Sequence, residues 1–472
     1  MPQMTRGALM KVSAAGAMGW AAGMANVARA GGETPISEIL GCPTDRTMCL
    51  NIQGASALEA YVEYGTGSFD ARTPLVTGYE GGPTGFCLEG LQPDTRYGYR
   101  TRYRVRGASG AFATGPERTF HTQRLAGNGF TFTVQGDSHP ERAGTQFDDA
   151  MYATTLRNIA VTCPDLHVAL GDDFSVDTLK KVTASTVEGR YSLQVPYFGL
   201  AGHSTPVFLV NGNHEQAARY LYDGTPDNVA VWAQTARNRH FAQPAPDGFY
   251  TGNTELFPYI GLLRNYFAWT WGDALFVVID PYWSSPVPVD NVFGGGAKRA
   301  DPWDITLGDA QYAWLSQTLS ASTSRWKFVF AHHVNGTGRG GADIAGLYEW
   351  GGRSARGVWE FDRRRPGWAM PIHNLMASTG VTVFFQGHDH IFVRQQLDGV
   401  TYQTMPSPAD PTSTLWNAEA FASGDRYPGS GHAEVSVSSE RVEVRYVRSK
   451  LALSEGGGIA NGAVQFGYSL PA

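Results

Sequence analysis

Nine side chains able to bind a cation or move a proton stand just beyond apolar runs in this chain: Asp137, His139, Asp172, Asn213, His214, His332, His333, His388 and His390. FTFTVQ (130–135) runs into GDSH, LHVAL (166–170) into GDD, PVFLV (206–210) into NGNHE, WKFVFA (326–331) into HH and VTVFFQ (381–386) into GHDH. Taken singly, each cluster reads as a polar turn. Taken together, they bring more carboxylates and imidazoles to strand ends than packing needs, and a buried unpaired carboxylate is costly enough to take up a proton. A divalent cation relieves that cost. Imidazole nitrogen with carboxylate oxygen suits zinc, iron or manganese better than calcium. Nine groups exceed the needs of one tetrahedral metal and fit two metals sharing a bridging carboxylate.

The elements that would position these groups follow from the rhythm of the sequence. From Gly129 onward, strand-like runs alternate with helical stretches, which predicts an α/β layered domain over 129–472. Ligands in such sheets bind outside the carboxyl ends of strands. MYATTLRNIAV (151–161), LGDAQYAWLSQTLSAS (307–322) and PIHNLMAST (371–379) have helical apolar spacing. VTYQTMPS (400–407) and HAEVSVSSERVEVRYVRS (432–449) alternate with period two and add strands, while the Gly-rich tail from Leu453 reads as a surface segment. Residues 33–123 differ. Short alternating runs such as Thr47 to Ile52 and Tyr97 to Val105, separated by Gly, Pro and Asp, predict a small all-β sandwich. RLAGN (124–128) is the linker.

Composition bounds the function. The 472 residues are 42% hydrophobic, enough for a large core. The net charge of −6 supplies no basic stripe for nucleic acid. In residues 1–30, Arg6 and Lys11 precede the uncharged VSAAGAMGWAAGMANV, and Ala28-Arg29-Ala30 offers a cleavage site. This reads as a signal peptide for a secreted or periplasmic protein, by a Sec-type route since no twin-arginine pair is present. No other segment approaches the ~18 consecutive apolar residues of a transmembrane span. Cys42, Cys49 and Cys87 crowd the first hundred residues, and export would permit a disulfide between two of them, the pair being open. Cys163 reads as a lone thiol.

The ordered set GDSH, GDD, GNHE, HH and GHDH resembles the five blocks of the calcineurin-like metallophosphoesterases, a superfamily that includes the purple acid phosphatases. LQPDTRYGYRTRY (91–103) and TGPERTFHTQ (114–123) resemble a turn and strands of fibronectin type III domains, and such a domain before a phosphatase domain is similar to the two-domain purple-acid-phosphatase-like arrangement. The resemblance implies an α/β/β/α sandwich, two metal ions (Fe, Mn or Zn), and hydrolysis of phosphomonoesters or phosphodiesters of small molecules by in-line attack of a shared hydroxide. By position, Asp137, His139 and His390 match the ligands of metal one, Asp172 the bridging carboxylate, and Asn213 and His388 ligands of metal two. In the fourth block Val334 stands where relatives carry proline. The match favours His332 as ligand and leaves His333 either at the rim, as a substrate contact, or just behind the ligands. His214 matches the non-ligand histidine that contacts phosphate or protonates the leaving group. Arg339 follows closely enough to reach a substrate phosphate. Asp389 and Glu215 read as acceptors that orient ligand rings. Two rival readings are a dinuclear hydrolase of nucleotides or phosphotriesters, and a cell-surface binding protein with a vestigial site. Against the second, every ligand position carries a competent residue.

Other features rank lower. GGGAK (294–298) lacks the spacing of a phosphate loop. Tyr282, Trp283, Trp303 and Trp350 form either an aromatic rim or packing. His121, His167, His203, His240, His373 and His432 are isolated and read as structural or surface groups. One departure from the purple enzymes is informative. They carry a tyrosine three residues after the bridging aspartate, where this chain has Ser175, and they lack a histidine at the place of His139. The metal-loaded protein is therefore expected to be colourless; a strong visible absorption band that disappears on reduction would overturn this.

Overall fold

The computed structural model describes residues 36–289, 301–451 and 458–472. The 1–30 segment and GGGAK lie outside the described residues. The first unit is a β-sandwich. Ser37–Gly41, Met48–Gln53 and Thr84–Leu88 form one sheet; Leu58–Gly65 and Arg96–Val105 centre the other. The second sheet shows why the sequence folds this way: Tyr97, Tyr99 and Tyr103 turn inward while the arginines between them face out. They meet Leu40, Leu50 and Ile52 of the opposite sheet in one apolar core. The four cysteines are free thiols, with Cys49 directly across from Cys87 in the first sheet.

The sandwich is bonded to the domain that follows. The Tyr99 hydroxyl donates to the His203 carbonyl at 2.6 Å, and the Asn51 amide to the His240 carbonyl at 2.9 Å. The His240 ring bridges the units, 2.9 Å from Gln53 Oε1 and 2.8 Å from Glu188 Oε1.

Five strands of the second unit carry the clusters: β1 (Phe130–Gln135), β2 (Leu166–Ala169), β3 (Val207–Leu209), β4 (Trp326–Phe330) and β5 (Val383–Gln386). They belong to two sheets. β1, β2 and β3 are parallel neighbours in a six-stranded sheet, and β4 and β5 are parallel neighbours in an eight-stranded one. The later alternating runs divide between them: Val400–Thr404 pairs with β5, and Gly431–Val437 and Arg441–Arg448 extend the sheet of β1. The chain's tail lies at the surface and adds an unexpected strand: Val464–Pro471 is an edge strand paired with Arg441–Arg448, with Tyr468 and Leu470 packed on the core. Glycines ahead of it hid a short period-two pattern.

The sheets stack face to face through aromatic rings. Phe132 of β1 lies 5.0 Å, centroid to centroid, from Phe328 of β4. Outer layers are helical. Ala184–Gly202 and Val229–His240 cover the six-stranded sheet, and Asp309–Ala321 and Ile372–Ser378 cover the eight-stranded one. The architecture is thus an α/β/β/α sandwich. Ala184–Gly202 carries no clear helical signal in the sequence because Pro196 lies inside it, where proline removes a backbone donor. The Thr183 capping box starts the helix, and burial of Val187, Tyr191, Val195 and Phe198 holds it. No helix among the described residues is long and apolar enough to cross a membrane.

Two buried histidines make this fold acid-sensitive. Burial, reinforced by the neighbouring His432, lowers His167 to about 3, and burial lowers His432 to about 3. Both rings are neutral when folded, whereas an unfolded ring takes up a proton below about pH 6.5. Their contribution is complete above that pH and declines as pH falls toward about 3, by up to about 1.4 kcal/mol per pH unit for each ring. Between about pH 7.5 and pH 5, the His432→Leu variant should therefore lose about 2 kcal/mol less stability than the parent, read from urea unfolding. Equal losses would exclude the effect.

Candidate metal centre

The clusters converge where the carboxyl ends of the two sheets meet. β1, β2 and β3 bring Asp137, Asp172 and Asn213 from one side; β4 and β5 bring His332, His388 and His390 from the other. Ladder hydrogen bonds run past the strand ends into the clusters. Leu170 N–H donates to Gln135 O at 3.1 Å, Val210 N–H to Ala169 O at 2.9 Å, and Gly387 N–H to His332 O at 2.9 Å.

Among the described residues two sets of ligand atoms that include a carboxylate form, each within 4.8 Å of one another: Asp137, His139 and His390, and Asp137, Asp172, His332 and His388; a third group joins the rings of His332, His333 and His388. Asp137 Oδ2 lies 3.1 Å from His390 Nε2, 3.6 Å from His139 Nε2 and 3.8 Å from His332 Nε2. Asp172 Oδ2 lies 3.0 Å from His332 Nε2 and 3.7 Å from His139 Nε2. Both carboxylates therefore touch both sets. Asn213, also buried, precedes His214, whose N–H donates to Asp172 Oδ1 at 2.9 Å.

The far side of each ring decides where its lone pair points. His332 Nδ1 donates to the Leu170 carbonyl at 2.8 Å, so Nε2 is the inward nitrogen: it donates to Asp172 while the ring is charged and offers a lone pair once a cation displaces that proton. His139 Nδ1 is 2.8 Å from Glu141 Oε1 and 3.2 Å from Ser175 Oγ, with the same result. His332 Nε2 and His388 Nδ1 then stand 3.3 Å apart. Two ring nitrogens held so close, beside two buried carboxylates, are a donor set suited to a cation that displaces the proton between them.

The electrostatics agree. Burial works to raise the Asp137 carboxyl, yet His332 and His390 hold it well below the usual range. Asp172 is held low against burial by His332 and His214. Burial lowers His332, but Asp172 and Asp137 override it and push the ring up to about 10. The carboxylates stay ionised and demand positive charge around them.

Local backbone conformation is unusual. His139, Asp172, His388 and His390 have φ of 48°, 58°, 66° and 57°, in the left-handed region that costs an L-residue ~1 kcal/mol or more. GHDH is consequently not an extended segment that sends both rings to one side by alternation. It is a tight turn, closed by Asp389 N–H donating to Gly387 O at 2.8 Å. That turn sends the His388 ring to within 5.2 Å of His332 and the His390 ring to within 4.9 Å of His139, centroid to centroid. Glycine is required beside it: a Cβ on Gly387 would lie 2.3 Å from Asp137 Oδ1, the atom that accepts the His388 N–H at 2.8 Å.

Several sequence-based expectations change. Asp389 and Glu215 orient no ligand ring. Asp389 accepts from Arg339 Nη1 at 2.9 Å. Glu215 accepts the N–H groups of Gly212, Asp173 and Phe174 at 2.6, 2.8 and 3.2 Å, tying two cluster loops together. The ring-orienting carboxylates are Glu141, for His139, and Asp177, whose oxygens lie 2.8 and 2.9 Å from His214 Nδ1. Glu141 was legible as the acid just after GDSHP; Asp177 had no local signal. Arg339 braces the turn, also donating to the His388 carbonyl at 2.7 Å. Of the two places open to His333, it takes the one behind the ligands rather than the rim. It is 1% exposed, stacks on His388 at 4.0 Å, and its Nδ1 is 2.6 Å from the Tyr282 hydroxyl. Tyr282 thus adjoins the centre, whereas Trp303 and Trp350 pack in the core under the eight-stranded sheet, and Trp283 packs on Phe257. His214 Nε2 faces Asp172 Oδ2 at 3.8 Å; burial lowers this ring, but Asp172 and Asp177 raise it to about 9. His121, His167, His203, His240, His373 and His432 join neither ligand set.

Comparison with known proteins agrees with this geometry. The sequence model of the calcineurin-like phosphoesterases matches residues 130–392. A search of the curated proteins finds no match. Among solved structures, the purple acid phosphatase PPD1 from yellow lupin (Lupinus luteus) seeds superposes with a TM-score of 0.59 at 14% identity, over 92% of this chain and 74% of that one. PhoD superposes with a TM-score of 0.62 at 14% identity, over 92% of this chain and 90% of that one. These likenesses are of fold. With the family match spanning all five strand-end clusters, they establish that the chain belongs to the calcineurin-like phosphoesterase family and has its purple-acid-phosphatase-like fold.

Proposed function

We propose that this protein is an exported, dinuclear metal-dependent phosphoesterase that hydrolyses phosphomonoesters or phosphodiesters of small molecules. The observation that carries the reading is the convergence of Asp137 and Asp172 with His139, His332, His388 and His390 into two ligand sets that both include Asp137, with Asp172 Oδ2 reaching a ring of each, 3.7 Å from His139 and 3.0 Å from His332. Asp137, His139 and His390 would hold one cation, Asn213, His332 and His388 the other, with Asp172 common to both. The nitrogen and oxygen donors suit iron, manganese or zinc. When bound, two such cations lower the pKa of a water between them and neutralise charge on a phosphoryl group.

The chain's own residues supply the rest. Glu141 and the Leu170 carbonyl fix the inward nitrogens of His139 and His332. Asp177 holds His214 so that Nε2 faces Asp172 from the open side, its ring 15% exposed where the proposed ligands are buried. From there the imidazole is placed to donate a proton to the departing alkoxide. Residues 1–30 support export, and the strand order of the N-terminal sandwich supports a fibronectin type III kind of domain.

The central test strips metal with a chelator, restores Mn, Zn or Fe, and compares nitrophenyl phosphate with bis-nitrophenyl phosphate. Hydrolysis should vanish on chelation, return with metal, and be lost in Asp172→Ala and Asn213→Ala. Activity that survives both treatments refutes the mechanism, and no hydrolysis with any metal would favour a binding protein. The proton-donor role is separable. His214→Ala should slow hydrolysis of an alkyl phosphate by about 10²–10⁴-fold and leave nitrophenyl phosphate far less affected, because nitrophenolate leaves without a proton. Equal losses on both substrates would remove His214 from that role.

A further inference from the structure

The buried pair Tyr282 and His333 is not accounted for by metal binding. Tyr282 follows the strand Ala274–Val278 of the eight-stranded sheet, a strand end that supplies none of the proposed ligands. Its position is firmly set. Tyr282 N–H donates to Asp280 Oδ1 at 2.8 Å, and Asp280 Oδ2 accepts from Asn265 at 2.8 Å and from Asn211, in the loop that carries Asn213, at 3.2 Å. The tyrosine hydroxyl, in a residue 4% exposed, is 2.6 Å from His333 Nδ1, its one partner among the described residues.

Donor accounting assigns the protons. A buried phenol must donate its hydrogen somewhere. The acceptor within reach is His333 Nδ1, so Nδ1 is the lone-pair nitrogen and Nε2 carries the hydrogen. Were the ring charged, Nε2 would carry a hydrogen as well. His333 Nε2 therefore offers no lone pair to a metal, although the ring stacks on His388 and has a nitrogen grouped with those of His332 and His388. It is a buried N–H with no hydrogen-bond partner among the described residues. Buried donors are rarely left unmade. Against the ligand set, the fitting acceptor is an anionic oxygen brought by the substrate.

We infer that His333 Nε2–H donates to a phosphoryl oxygen of the bound ester, and that Tyr282 is the positioning residue that holds His333 in this tautomer. The inference rests on the phosphoesterase reading for the nature of the ligand. It makes the second histidine of HH a phosphate contact and the first a metal ligand, with opposite inward groups on adjacent rings.

The test reads tautomer, metal content and phosphate binding, so it does not depend on turnover. In zinc-loaded protein with ¹⁵N-labelled histidine, His333 should show a proton on Nε2 and none on Nδ1, and Tyr282→Phe should lose this bias. His333→Ala and Tyr282→Phe should keep two metals per chain, while inorganic phosphate binds about 10-fold or more weakly in His333→Ala. His333→Gln, which restores a donor, should recover much of that loss and guards against a failure of the alanine variant to fold. A proton on Nδ1, loss of a metal in His333→Ala, or phosphate affinity unchanged across the variants would each overturn the inference. Phosphate binding that behaves as stated in a protein that hydrolyses no phosphoester would instead defeat the proposed function and leave this contact standing.

Discussion

Two ionised carboxylates buried where two sheets meet are the constraint on which the rest of this structure turns. Asp137 and Asp172 are 0% and 1% exposed, and neither can stay charged there without positive charge at close range. Imidazoles from both sheets supply the first answer, and cations in the same place would supply a stronger one. Every unusual feature nearby follows from crowding that much charge and polarity into a small volume.

The surroundings are correspondingly rigid. The aromatic interlock of Phe132 with Phe276 and Phe328 fixes one sheet against the other directly behind the centre. Ladder bonds carry that rigidity past the last strand residues into the clusters. Left-handed conformations at His139, Asp172, His388 and His390 cost energy, and they persist because Glu215, Arg339 and the Asp137 carboxylate hold the loops from several sides at once. Hydrogen bonds on the outer nitrogens then decide which face of each ring is available. That division distinguishes His332 from its neighbour His333, two residues of one type and adjacent in the chain, with different inward chemistry.

Much of this was legible in the sequence where short-range pattern carries the information. The apolar runs ending in Asp, Asn or His announced the strand ends, and period-two alternation announced the N-terminal sandwich. Patterns interrupted by a breaker were not legible. Pro196 concealed the helix Ala184–Gly202, and a glycine-rich approach concealed the strand Val464–Pro471. Asp177 and Tyr282 gave no local sign because their partners, His214 and His333, lie 37 and 51 residues away.

The sequence by itself determined which groups arrive at strand ends, since the polarity switch after each apolar run is a local property of the chain. It also carried the family likeness, through the order of five short blocks. Only the tertiary structure decided that those blocks come from two sheets, that GHDH turns through left-handed residues to share its rings between two ligand sets, and which carboxylates orient the rings. Those outcomes depend on where distant segments pack and on which hydrogen bond each nitrogen finds, and neither is encoded within the span of a motif.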